Sequence, residues 1–279
     1  MAEPVTCPFD ILIHMRRTDT LGSAGAVGLS LAQRLRAFAT GLHVVPLSPV
    51  AFASPEAVAL YVNEAEGAWR DAQQRGPFWQ AALDAHALQG AWSASQGDVV
   101  ESLCQASRWH DLVVVERPQL NPDAPTGWGL VSRTVFGASS PVVVVPERVR
   151  AESAGLRIAV AWNQSREAAL AIRGALPLLA RAEHVQVFEG EPVENPLGLR
   201  FLPKLDLRPW LERHGIAAHY AAFPARRDQG AALLDAAHAM DADLVVMGAW
   251  GHSRITELVL GGTTRHLFQH SDLPLLVAH

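Results

Sequence analysis

Short apolar runs recur along the chain at 9–15 (FDILIHM), 42–48 (LHVVPLS), 88–94 (LQGAWSA), 111–116 (DLVVVE) and 141–146 (PVVVVP). Ala-rich stretches with helical potential separate them at 26–39, 56–74 and 98–107. Near-continuous β-branched runs alternating with helices predict a parallel sheet covered on both faces. The pattern then repeats: apolar runs at 156–162 (LRIAVAW), 184–190 (HVQVFEG), 216–223 (IAAHYAAF), 243–249 (DLVVMGA) and 273–279 (LPLLVAH), with helical stretches at 165–179, 207–214, 229–240 and 263–270. Ser165 opens one of these helices with Glu167 in its first turn, and Pro177 is expected to bend or end it. Leu233, Leu234, Ala237 and Met240 form an apolar stripe that reads as core.

Five strands per half in matching order favour an internal duplication over one ten-strand domain. WHDLVVVE aligns with DADLVVMG, and SRTVFGASSPVVVVP with TRHLFQHSDLPLLVAH, so Arg133 meets Arg265, Phe136 meets Phe268 and Pro141 meets Pro274. Proline, charge and glycine interrupt both periodicities at 146–156, giving expected domains of 1–148 and 155–279. The expected fold is α/β: two open five-stranded parallel sheets flanked by helices, packed against each other as a pseudo-dimer within one chain.

Composition narrows the function classes. In 279 residues, 49% hydrophobic and 18% charged with a net charge of -5, no basic field exists for a polyanionic backbone, so nucleic-acid binding is not expected. The MRR at 15–17 and ARR at 225–227 are too short to change that. No apolar run reaches the roughly 20 residues that cross a bilayer, and the N-terminus lacks a secretory pattern, so no membrane partner and a cytoplasmic location are expected. Cys7 and Cys104 suit free thiols rather than a disulfide or metal knuckle.

Candidate chemistry concentrates near the C-terminus. The run 243–247 leads into Gly248 and Gly251, followed by Gly261, Gly262, Thr263 and Thr264. At the carboxyl edge of an open α/β sheet, glycines let backbone N–H groups approach an anion, and a helix beginning near Thr263 adds its free donors and dipole. His252 and Ser253 adjoin this cradle. Across the crevice, Asn163 offers an amide and Ser165 a hydroxyl. The same residues also serve as turn glycines and helix caps with no ligand, and that reading stays open. The loop is neither a Walker A motif nor a Gly-x-Gly-x-x-Gly turn.

These residues resemble the universal stress protein family, its UspA-like domain occurring twice over essentially all of the chain. The family's signature of Gly, two residues, Gly, nine residues and Gly before Ser or Thr is matched by Gly248, Gly251 and Gly261, and departs where Gly262 precedes Thr263 and Thr264. AWNQSREAALAI resembles the family's opening strand and helix, DLPLLVAH its closing strand. The resemblance implies a stress-response or regulatory protein binding ATP or another adenine nucleotide in its C-terminal domain, with Mg²⁺ only as the nucleotide's companion. Asn163 stands where nucleotide-binding members carry an aspartate. The resemblance also implies that PVVVVP and LPLLVA meet antiparallel, and it allows a protein partner or a homodimer.

The first half departs further. Glu116 stands where Gly248 would be and Gln119 where Gly251 would be, so this half reads as a copy whose cradle is lost. The 12 histidines form no spaced ligand set, and His252 with Ser253 lacks an orienting carboxylate, so a dedicated catalyst is not expected. A ligand-free interaction protein and a slow nucleotide hydrolase are the alternatives. Trp162 and Trp250 beside a weakly charged crevice also suit a ligand less anionic than ATP.

Overall fold

The protein is represented by a computed structural model that describes residues 9–47, 54–118, 129–149, 154–190, 206–223, 228–249 and 262–279. The first half runs β1 (Asp10–His14), α1 (Gly22–Leu35), β2 (Phe38–Pro46), α2 (Pro55–Gln73), α3 (Gly76–Ala85), β3 (Gly90–Gly97), α4 (Val99–Ala106), β4 (Leu112–Arg117), α5 (Leu130–Gly137) and β5 (Val142–Pro146). The second runs β6 (Arg157–Trp162), α6 (Arg166–Leu179), β7 (His184–Glu189), α7 (Leu207–Arg213), β8 (His219–Ala222), α8 (Gln229–Ala239), β9 (Leu244–Gly248), α9 (Gly262–His270) and β10 (Leu275–Ala278).

All ten strands join one sheet in the order β3-β2-β1-β4-β5-β10-β9-β6-β7-β8. This corrects the expectation of two separate five-stranded sheets. The antiparallel pairing of β5 with β10 fuses them, with Val144 opposite Leu275, Val143 opposite Leu276 and Val142 opposite Val277. Every other pairing is parallel. The physical reason is visible in the two strands themselves: VVVVP and LLVA are buried along their length, and as edges they would present unpaired backbone and apolar side chains. Pairing them removes both edges at once.

Alternation along each strand sends side chains to opposite faces. Ile11, Ile13, Val114, Val143, Ile158, Val160, Val246 and Leu276 belong to a core beneath α1, α3, α6 and α7. Leu12, Val113, Val115, Val144, Ala159, Val245, Met247 and Leu275 belong to a second core beneath α4, α5, α8 and α9. Each core runs unbroken across the β5–β10 seam. Leu233, Leu234 and Ala237 are buried in the second core, as the stripe in α8 predicts.

Local corrections have local causes. The first helix starts at Gly22 and stops at Leu35, earlier than the Ala pattern suggests, because Arg36 takes a left-handed conformation (φ 53°) and starts β2 by residue 38. The sequence reading does not anticipate α3, whose first turn is set by Pro77. Pro177 lies in the last turn of α6, which ends at Leu179. The aligned Pro141 and Pro274 play one role: their carbonyls accept from the Val113 and Val245 amides respectively, both at 3.0 Å.

Candidate functional site

The carboxyl ends of the parallel strands form the edge where α/β folds bind ligands. In the second half, Trp162 ends β6 and is buried, followed by Asn163, Gln164 and Ser165. Asn163 Oδ1 accepts the Ser165 amide at 3.2 Å, closing a side-chain turn, with Gln164 left-handed (φ 61°) between them. Ser165 Oγ accepts the Ala168 amide at 3.1 Å and caps α6. Both side-chain oxygens therefore have local work.

Gly248 ends β9, and its lack of a side chain has a packing cause. A Cβ built there would lie 2.4 Å from the Ala168 amide nitrogen and 2.6 Å from the Glu167 carbonyl carbon. The first turn of α6 thus fills the side of Gly248 that the sequence reading reserves for a ligand. Gly248 is also absent from the residues with positive φ.

The start of α9 differs. Among the described residues, a Cβ at Gly262 would meet nothing within 4 Å. Thr263 Oγ1 donates to Gln229 Oε1 at 3.4 Å, whereas Thr264 is buried. The adjoining start of α8 is capped by Asp228, which accepts the Gly230 and Ala231 amides. Its carboxyl is held below the usual range, chiefly by the Ala231 bond, with the His266 imidazole 3.0 Å away assisting. Gly251, His252, Ser253 and Gly261 lie outside the described residues, as do Trp250, Gln119 and Cys7. Among the predicted site residues, Asn163 and Ser165 are thus joined in one turn, while Gly262, Thr263 and Thr264 share another helix start.

The first half solves the same edge differently. Register equates Ile11–Leu112 with Ile158–Leu244, so Arg16 corresponds to Asn163 and Glu116 to Gly248. Leu21 gives α1 no side-chain cap. Instead Glu116, 8% exposed, reaches over from β4: its Oε2 accepts the Ser23 amide at 3.2 Å and the Ser23 hydroxyl at 3.0 Å, while Oε1 pairs with Arg16. A carboxylate of the chain itself sits where the free amides of a helix start attract anions. Gly22 (φ 60°) makes room, since a Cβ there would lie 2.9 Å from Glu116 Oε2. Beside this pair lies His14, 4% exposed, whose Nδ1 has no hydrogen-bond partner. Burial lowers its pKa to about 4, with His43 and Arg16 adding to the effect, so it is neutral at pH 7. The sequence signal for this cluster is the MRR that follows the first strand together with the acid near the end of the fourth.

Among the described residues, no group of three or more His, Cys, Asp or Glu is placed to hold a metal ion. Nor is any helix there long and apolar enough to cross a membrane. Cys104 is a free thiol whose pKa is raised by burial.

Comparison with known proteins agrees with the architecture. Residues 222–279 match the model of the universal stress protein family. The curated proteins compared give no match. A universal stress protein from Archaeoglobus fulgidus DSM 4304 superposes with a TM-score of 0.70 at 16% identity, covering 96% of this chain and 97% of that one. A functionally unknown protein from Pseudomonas aeruginosa PAO1 superposes at 0.57 and 14%, covering 96% and 92%. The universal stress protein fold therefore extends over most of the chain.

Proposed function

We propose that the chain is a tandem universal stress protein, with units 1–148 and 155–279, that binds an adenine nucleotide such as ATP through its second unit and acts as a regulatory protein rather than as a dedicated catalyst. The observation that carries this reading is the start of α9, where a Cβ at Gly262 would meet no described residue within 4 Å and Thr263 adds a hydroxyl. Two further features support it: the glycine spacing of 248, 251 and 261, and the Asn163 amide, whose oxygen alone is used in its turn. Phosphate oxygens would take the amides of α9's first turn. Asn163 would face the nucleoside. Mg²⁺, if the nucleotide brings it, would depend mainly on phosphate and water oxygens. Asp228 caps α8 and pairs with His266.

A ligand-free interaction protein is the second reading, favoured by Gly248, whose packing against α6 explains that glycine with no nucleotide at all. Calorimetric titration with ATP and AMP, with native mass spectrometry of the purified chain, separates the two. One nucleotide per chain is expected. Gly262→Val, whose first side-chain carbon meets no described residue within 4 Å, should weaken binding by about tenfold or more, while Glu116→Gln should leave it unchanged. Absence of both co-purified nucleotide and saturable heat overturns the nucleotide reading in favour of the second.

A further inference from the structure

Two aromatic side chains of the first half stand in water. Trp109 is 85% exposed and Phe136 53%, and among the described residues only Leu47 and Val62 join them as large apolar side chains left outside the core. Local structure holds both in place. Trp109 ends the 3-10 turn Ser107–Trp109 that follows α4. The buried Ser107 donates its hydroxyl to the Cys104 carbonyl at 2.7 Å and accepts the Ser139 amide at 2.9 Å, which ties this turn to the loop after α5. Phe136, near the end of α5, stacks on the His279 imidazole with ring centroids 4.5 Å apart. Gly137 beside it draws α5 onto α4, since a Cβ there would lie 2.8 Å from Cys104 Sγ. The two aromatics thus belong to one firmly packed layer, made of α4, its turn and α5.

The second half has no such pair. By register Trp109 corresponds to Asp241, and Phe268, aligned with Phe136, is buried. The fold itself therefore does not require aromatic residues in water at these places. Exposed apolar residues gathered on one face mark interaction surfaces, and tryptophan and arginine are the residues that most often carry their binding energy. Here the exposed Arg108 adjoins Trp109, and the exposed Arg133 lies one turn before Phe136. Exposed carboxylates accompany them, Glu101 on α4 and Asp111 just after the turn.

We propose that this face joins two copies of the chain, with Trp109 of each packed against the α4–α5 layer of the other about a twofold axis. Charge favours a second copy over an unlike partner. A strongly acidic surface would meet Glu101 and Asp111, and a strongly basic one Arg108 and Arg133. A twofold axis instead sets a face of mixed sign against itself, so that cations of one copy can meet carboxylates of the other. The apolar seam between β5 and β10 is already closed within the chain, which leaves association to another surface. Trp109 and Phe136 supply the anchoring centre of an interface that takes about 800 Å² from each copy. The dimer does not rest on nucleotide binding in the second half, and either can fail alone.

Sedimentation velocity of the full chain over about 1–100 μM tests it. The parent should show a monomer–dimer equilibrium in that range. Trp109→Ser should raise the dimer Kd by about tenfold or more with an unchanged urea midpoint, because the side chain it removes supports nothing in the monomer. Phe136→Ser, on the neighbouring helix, should weaken the dimer in the same direction, whereas Val62→Ser, exposed on α2, should not. A parent that stays monomeric throughout overturns the proposal and gives the face to a different partner. Dimers of undiminished affinity in both the Trp109→Ser and Phe136→Ser proteins overturn it by placing the contact elsewhere, as does a dimer lost on Val62→Ser alone.

Discussion

The two halves use one strand order, yet they finish the helix that follows their first strand in opposite ways. In the first half the start of α1 is met from the sheet, by Glu116 reaching Ser23. In the second half α6 caps itself through Ser165, and Gly248 lets the helix press against the strand end. One design places a charge between strand and helix; the other removes even a methyl group. The lesson is that the register position shared by Glu116 and Gly248, near the end of the fourth strand of each half, is where the strand meets the start of the helix that follows the first strand. In the first half a cavity lies there, beside an ion pair. In the second, among the described residues, the room lies elsewhere, beside Gly262 at the start of α9.

The sharpest way to break this comparison is to exchange the two solutions. Gly248→Glu puts a side chain where backbone of α6 already stands, and backbone cannot swing aside as a side-chain end can. We expect a loss of about 3 kcal/mol or more, at or above the usual range for overpacking, measured by urea unfolding. The reciprocal Glu116→Gly is expected to be milder, about 1–2 kcal/mol, because Arg16 is partly exposed and water replaces its partner. Equal effects would show that the residue at this register position does not set the helix position.

A second difference can be read through pH. His14 corresponds to Ala161 in the other half, so only the first half buries an imidazole there. The native ring stays neutral down to about 4, whereas an unfolded histidine takes its proton near 6.5. Between those values the unfolded chain binds more protons, so stability is full above pH 6.5 and falls as pH drops toward 4. The gap corresponds to about 3 kcal/mol. His14→Gln should flatten that part of the stability profile relative to the parent. An unchanged slope would mean that His14 is not the group responsible.

Much of this was legible in the chain and some was not, for definable reasons. The ten strands followed from β-branched runs, and the β5–β10 pairing from two apolar final strands resembling family dimers. The error lay in keeping two sheets once those strands had been paired: an antiparallel ladder between two sheet edges makes a single sheet. At the candidate site, Ser165 as a cap was readable from its place before Glu167. The role of Gly248 was not, since a glycine needed for a ligand and one needed for a helix look identical in sequence. That Glu116 stands where the other half has Gly248 is legible by aligning the two halves. Its partners Arg16 and Ser23 lie about a hundred residues away, and no local pattern links them.

A third asymmetry crosses the seam. Arg117 extends from β4 to the end of α9, donating to the carbonyls of Leu267, Phe268 and Ser271 at 3.1, 2.6 and 2.6 Å. Burial lowers its pKa, with the nearby Asp272 opposing that shift. Its counterpart by register is Ala249, which cannot reciprocate. Arg117→Met keeps the length of the stem but strands those helix-end carbonyls, and should cost about 2 kcal/mol in chemical denaturation. If hydrogen exchange then rises in α9 while β1 and β2 stay protected, the contact holds the second half's last helix specifically; uniform loosening would assign it to the whole sheet.

The smallest effect is expected where the second half caps itself. Ser165→Ala removes the acceptor for the Ala168 amide but leaves Asn163 Oδ1 on the Ser165 backbone, which the substitution preserves. Loss of one helix cap costs about 1 kcal/mol. Ser23→Ala in the first half should cost less, because Glu116 still accepts the residue-23 amide and Arg16 still pairs with its other oxygen. The difference between the two substitutions, read from paired unfolding curves, measures how far a carboxylate arriving from the sheet can substitute for a hydroxyl on the helix itself. Should Ser23→Ala prove the more damaging, the hydroxyl rather than the amide would be what anchors Glu116, and the cap from the sheet would depend on a side chain after all.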